Sequence, residues 1–207
     1  MDDFLAFVKR LIVGANDVPF RGVINASTGY EILEIDNKMR SKLMLLKGHF
    51  RSNTKKISQD VRINYVGRAN ELSHYMEKVV AHEINSISGF NAISPQTDER
   101  RSQAAGYPDL FVQVGKQCCY LEVKTFQLKT KDSTLRTFYY KPSEASKITQ
   151  SCPHLLIAFE VESKGGDNRS PFVIHNVKIL DLYNLKVSLK PEFNANNVDL
   201  YSSCAEI

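Results

Sequence analysis

GYPDLFVQVGKQCCYLEVKT, from Gly106 to Thr125, contains two strand-like runs, Leu110–Val114 and Cys118–Val123, on either side of Gly115-Lys116. A Gly-X pair between two such runs is the signature of a two-residue type II′ turn. With those two residues in the loop, Val114 pairs with Gln117, and Asp109 falls opposite Glu122. Directly opposed Cβ atoms lie roughly 4.5–5.5 Å apart, and like charges there are destabilising. Alternation along the second strand puts Tyr120, Glu122 and Lys124 on one face. Cys119, Leu121, Val123 and Thr125 take the other, so Thr125 is given no role in the site. Two carboxylates and an amine therefore converge on one patch of sheet.

Such a patch needs something to offset its repulsion. A hard divalent cation does so, and Mg²⁺ in particular takes one or two carboxylates together with waters and phosphate oxygens. The cation can also acidify a bound water and stabilise charge on a leaving oxygen. Lys124 would stand beside that water and the scissile phosphate, where an ammonium stabilises a developing anion. The constellation predicts metal-dependent hydrolysis of a phosphodiester. E-x-K alone is common on solvated strand faces, and Pro108-Asp109 in register across the turn is what sets this one apart.

Outward from the hairpin, the chain of 207 residues is long enough for one substantial core. Residues 1–207 are expected to form a single endonuclease domain, with a catalytic core over about 70–162 and a basic, DNA-contacting segment over 38–68. Phe4, Leu5, Val8, Leu11 and Ile12 predict a first helix that stops near Gly14. Arg21–Asp36 reads as two short strands around a Ser-Thr-Gly turn. His49–Asp60 has no clear periodicity and is expected to be a loop. Leu72, Tyr75, Met76, Val79, Val80 and Ile84 predict a helix over about 70–86. Residues 88–108 read as a polar loop. Beyond the hairpin, a strand through Thr137–Tyr140 and a short helix from near Ser143 are expected. His154–Val161 then reads as a strand covered on both sides, and Pro171–Lys190 as further strands. The fold class is α/β, a mixed sheet with helices packed on it.

Several functions are excluded by pattern. SKGGDNRS (Ser163–Ser170) lacks the Gly-Lys-Ser/Thr ending of a phosphate loop, so no nucleotide cofactor is expected. The five histidines form no metal-ligand spacing, and His74 and His82 are expected to be partly buried polar residues. The four cysteines, Cys118, Cys119, Cys152 and Cys204, form no C-x-x-C pair and read as free thiols of a reducing compartment. No segment suits a signal peptide or a membrane span, so a cytoplasmic protein is expected. The net charge of +4 permits a polyanionic partner.

Pro108-Asp109 followed by Glu122-Val123-Lys124 resembles the PD-(D/E)XK nuclease superfamily, and within it the type II restriction endonucleases. The resemblance extends more weakly over about residues 20–160. It implies a restriction-endonuclease-like central mixed β-sheet flanked by helices. It also implies that Asp109 and Glu122 bind Mg²⁺ and that Lys124 is catalytic. The family often adds an acidic residue from the preceding helix. Glu77 is the best match and Glu71 the competitor, and the two do not share a helical face. The partner implied is double-stranded DNA, cut at a short palindromic site by a homodimer. A repair or junction-resolving nuclease of the same fold, or a non-catalytic DNA-binding domain, are the alternatives. Candidate phosphate contacts are Arg51, Lys55 and Lys56 in the basic run, and Lys129, Lys131, Arg136 and Lys141 beyond the catalytic strand. Arg100 and Arg101 are further candidates.

Overall fold

The computed structural model describes residues 2–69, 71–97, 106–127, 129, 138–143 and 145–190. Its helices are α1 (Asp2–Val13), α2 (Phe20–Thr28), α3 (Asn37–Asn64) and α4 (Leu72–Asn85). Its strands are β1 (Ala15–Pro19), β2 (Phe90–Ile93), β3 (Leu110–Val114), β4 (Gln117–Gln127), β5 (His154–Ser163), β6 (Phe172–Asp181) and β7 (Lys186–Leu189). These elements group into two compact units. One holds α1, β1 and β7, with β1 pairing antiparallel with β7. The other, Phe20–Leu185, carries a five-stranded sheet in the order β2-β3-β4-β5-β6.

That sheet is mixed: β4 and β5 run parallel, and the remaining pairs are antiparallel. The hairpin has the expected register, with Val114 opposite Gln117 and Leu110 opposite Leu121. Gly115 sits at φ 65°, a conformation that its missing Cβ makes inexpensive. β5 is interior and almost wholly buried, as its unbroken apolar run predicts. Helices α3 and α4 cover the face that carries Val112, Cys119, Val123, Ile157 and Phe159. The result is the α/β architecture that the resemblance implies, a central mixed sheet flanked by helices.

The structure corrects five local expectations. His49–Asp60 is no loop, because α3 runs unbroken through it. Met39, Leu43, Leu46, Phe50, Ile57 and Val61 are buried along one stripe, which breaks only at position 54. There the Thr54 hydroxyl donates to the Phe50 carbonyl at 2.9 Å, so the gap stays helical. Asp36 caps the start, accepting from the Met39 N–H.

Arg21–Asp36 does not form two strands. It opens with α2, which buries Phe20 and Ile24. Gly29, expected at a hairpin turn, instead ends this helix at φ 77° and donates to the Asn25 carbonyl. The polar stretch 88–108 supplies an edge strand, β2, whose Phe90 and Ala92 face the core. Phe138–Tyr140 forms no strand and no helix begins at Ser143, the described residues of both being coil. Thr137 lies outside the described residues.

Candidate active site

Local pairing explains how the hairpin delivers its acids. The ladder closes at Leu110 and Leu121, one step short of Asp109 and Glu122. Asp109 is free to bend across, and its Oδ2 accepts the Val123 backbone N–H at 2.7 Å. Glu122 is buried, only 4% exposed, because its strand is interior and Tyr107, Tyr120 and His154 pack on the same side. One Glu122 oxygen takes the Lys124 ammonium. The other, Oε2, is buried with no hydrogen-bond partner among the described residues. An unsatisfied buried oxygen on a charged group is costly, and its presence calls for an explanation.

The electrostatics mark the same spot. Burial, and next the Asp109 charge, push the Glu122 carboxyl up to about 7 despite the nearby Lys124. Burial also raises the Glu77 carboxyl, with Asp109 adding to it and His74 and Lys124 opposing. Glu77 thus lies within electrostatic reach of Asp109 and Lys124. Glu71 does not share this neighbourhood, its carboxylate turning instead to the Arg68 N–H. His74 and His82 are exposed rather than partly buried, and His74 Nδ1 lies 3.3 Å from Glu77 Oε1. The buried histidine is His154, hydrogen-bonded to the Tyr107 hydroxyl and depressed to about 3 by burial.

Sequence reasoning missed Lys147. It is 5% exposed, and its Nζ donates to the carbonyls of Gly106 at 2.6 Å and Pro108 at 3.0 Å. Burial lowers its pKa, while Asp109, Glu122 and Glu77 oppose that shift. A lone lysine in SEASKITQ carries no spacing that would single it out.

The donor set suits Mg²⁺. Among the described residues, no three His, Cys, Asp or Glu side chains gather closely enough to hold an ion by themselves. Two carboxylates supplemented by water and phosphate oxygens are what Mg²⁺ ordinarily takes. Asp109 and Glu122 offer all-oxygen ligation, and the partnerless Glu122 Oε2 is the atom a cation would satisfy.

Residues 13–204 match the family described as the type II restriction enzyme MjaV family. The chain belongs to that family of restriction endonucleases. It is also 30% identical to the type II restriction enzyme MjaV of Methanocaldococcus jannaschii, over 97% of this chain and 92% of that protein. No solved structure matches it.

Within this restriction enzyme the cationic candidates fall into separate places. Arg51 and Lys55 are exposed, four residues apart on α3, and Lys47 precedes them at the same interval. Helix α3 packs on the Val123 face of the sheet, not the Glu122 face. Lys56 is largely exposed, with Nζ 3.0 Å from Glu83 Oε1, while His49 Nε2 lies 2.8 Å from Glu83 Oε2. Lys129 is exposed just past β4, with Nζ 3.2 Å from Asn168 Oδ1. Lys141 is exposed after a segment whose Phe138 and Tyr140 pack on Phe20 and Tyr107. Arg100, Arg101, Lys131 and Arg136 lie outside the described residues. No described helix is long and apolar enough to cross a membrane.

The raised Glu122 carboxyl has a measurable pH signature. Its ordinary value is 4.5 and its folded value about 7, so over that window the folded chain keeps a proton the unfolded chain loses. Stability from this group is fully present below 4.5 and is lost as pH rises through about 7. A cation that needs the ionised form recovers the loss only above that window. Mg²⁺ is expected to raise the melting temperature clearly at about pH 8 and little at about pH 5.5. Equal shifts at both, in melts run with Mg²⁺ and with chelator, would count against Glu122 as a ligand.

Proposed function

We propose that the chain is a Mg²⁺-dependent PD-(D/E)XK restriction endonuclease. It hydrolyses phosphodiester bonds of double-stranded DNA at a specific short palindromic sequence. The observation that carries this reading is Glu122 Oε2, a buried carboxylate oxygen beside Asp109 with no hydrogen-bond partner among the described residues, and the Lys124 ammonium on the sister oxygen. Asp109 and Glu122 would hold the ion, which when bound supplies Lewis acidity toward the scissile phosphate.

The remaining work falls to the side chains. Lys124 orients the attacking water and stabilises negative charge gathering on the phosphorus oxygens. Glu77, a carboxyl already disposed to keep a proton, joins the acids from α4 and can take a hydrogen bond from that water. Glu71 stays outside. Lys129, Lys131, Arg136 and Lys141 would supply contacts to backbone phosphates, and Arg51, Lys55 and Lys56 a further basic surface. A palindromic site has two-fold symmetry, so a homodimer places one copy of the site on each strand. The enzyme acts in the cytoplasm.

The test is a digest of long duplex DNA of known sequence, with Mg²⁺ or with chelator, followed by mapping of the fragment ends. Discrete bands with symmetry-related ends, only in Mg²⁺, are expected. A smear, or a preference for branched substrates, would point to another nuclease of the fold, and intact DNA would sink the catalytic reading.

A further inference from the structure

We propose that Lys147 is a positioning residue for Asp109, holding the peptide that leads into it and so setting the geometry of the metal ligand. The inference rests on the reading of Asp109 as a ligand given above.

Lysine ordinarily keeps its ammonium in water along an extended stem. Here the side chain is 5% exposed and its ammonium donates to two backbone carbonyls. The two carbonyls belong to Gly106 and Pro108, on either side of Tyr107 and directly before Asp109. The hydrogen bond to the Pro108 carbonyl fixes the plane of the peptide whose nitrogen is that of Asp109. From the other end, the Asp109 carboxylate is tied to the Val123 N–H. Asp109 is therefore anchored twice, through its backbone by Lys147 and through its side chain by β4.

The lysine is itself well seated. It precedes Ile148, which is fully buried, and it lines a cleft of about 330 Å³ with Phe111, Tyr120 and Thr149. Tyr120 Oη, which accepts the Thr149 N–H at 2.9 Å, pins the segment to the same strand that carries Glu122. Groups that orient a metal ligand without touching the metal typically cost about 10–100-fold in metal affinity or activity when removed.

The test is Mn²⁺ binding to the full chain, followed by electron paramagnetic resonance, for wild type, Lys147→Met and Lys147→Arg. Folding of each is checked by circular dichroism. The Met variant is expected to bind Mn²⁺ about 10–100-fold more weakly. The Arg variant, which keeps donors for both carbonyls, is expected to recover most of that loss. In cleavage assays at saturating metal, the Met variant should lower kcat with little change in KM for duplex. A folded Met variant with wild-type Mn²⁺ affinity overturns the proposal. If that variant does not fold, Lys147→Gln, whose amide still satisfies one carbonyl, is read in the same way: weakened affinity supports the role and unchanged affinity ends it. Wild-type protein that takes up no Mn²⁺ would overturn the metal reading itself, and this inference with it.

Discussion

Lys124→Ala is expected to slow cleavage of duplex DNA by at least about 10²–10³-fold while duplex binding stays nearly unchanged. Two effects add. The ammonium that would stabilise charge on the phosphate is gone, and a donor aimed at developing charge in a dry site carries that order of rate. Glu122 also loses the ammonium bonded to it, leaving both carboxylate oxygens without a hydrogen-bond partner among the described residues. Its carboxyl should then rise further, because Lys124 is what opposes the upward shift. The activity lost at neutral pH should therefore be partly recovered on going alkaline, beyond any change in the wild type. Single-turnover cleavage across pH, with duplex binding measured separately, checks both parts. A normal rate would remove Lys124 from the chemistry.

Asp109→Asn should cost at least as much activity, about 10²-fold or more, and leave the fold intact. The amide oxygen can still accept the Val123 N–H, so the hairpin keeps its closing contact. What disappears is a negative charge, and with it the second-largest cause of the raised Glu122 carboxyl. The Glu122 value should move down toward the ordinary carboxylate range, a change that carbon-13 NMR of labelled glutamate can follow. An inactive variant with a shifted Glu122 is the expected pair of results. An unshifted Glu122 would mean that the two acids do not share a site.

The hairpin that carries the candidate site was legible because two local signals agreed. Gly115-Lys116 set the register, and alternation then assigned faces without reference to anything distant. Helix α4 was equally plain, since its apolar residues recur without a break. Helix α3 was hidden by polar residues at 52–56, where Thr54 satisfies the backbone in a place that composition suggests for a loop. The β-branched residues of Arg21–Asp36 favoured strands, but packing of only Phe20 and Ile24, one turn apart, decides for a helix. Lys147 could not have been found. Its importance comes from carbonyls about forty positions earlier in the chain, and nothing local marks it.

The lone oxygen of Glu122 bears on more than catalysis. A carboxylate oxygen lies in dry surroundings where an apolar side chain would give a calmer interior. On the reading proposed above, the cation-free chain lives with an internal grievance that only loading can resolve. Magnesium supply would then govern how much of the protein survives in the cell as well as how fast each molecule works.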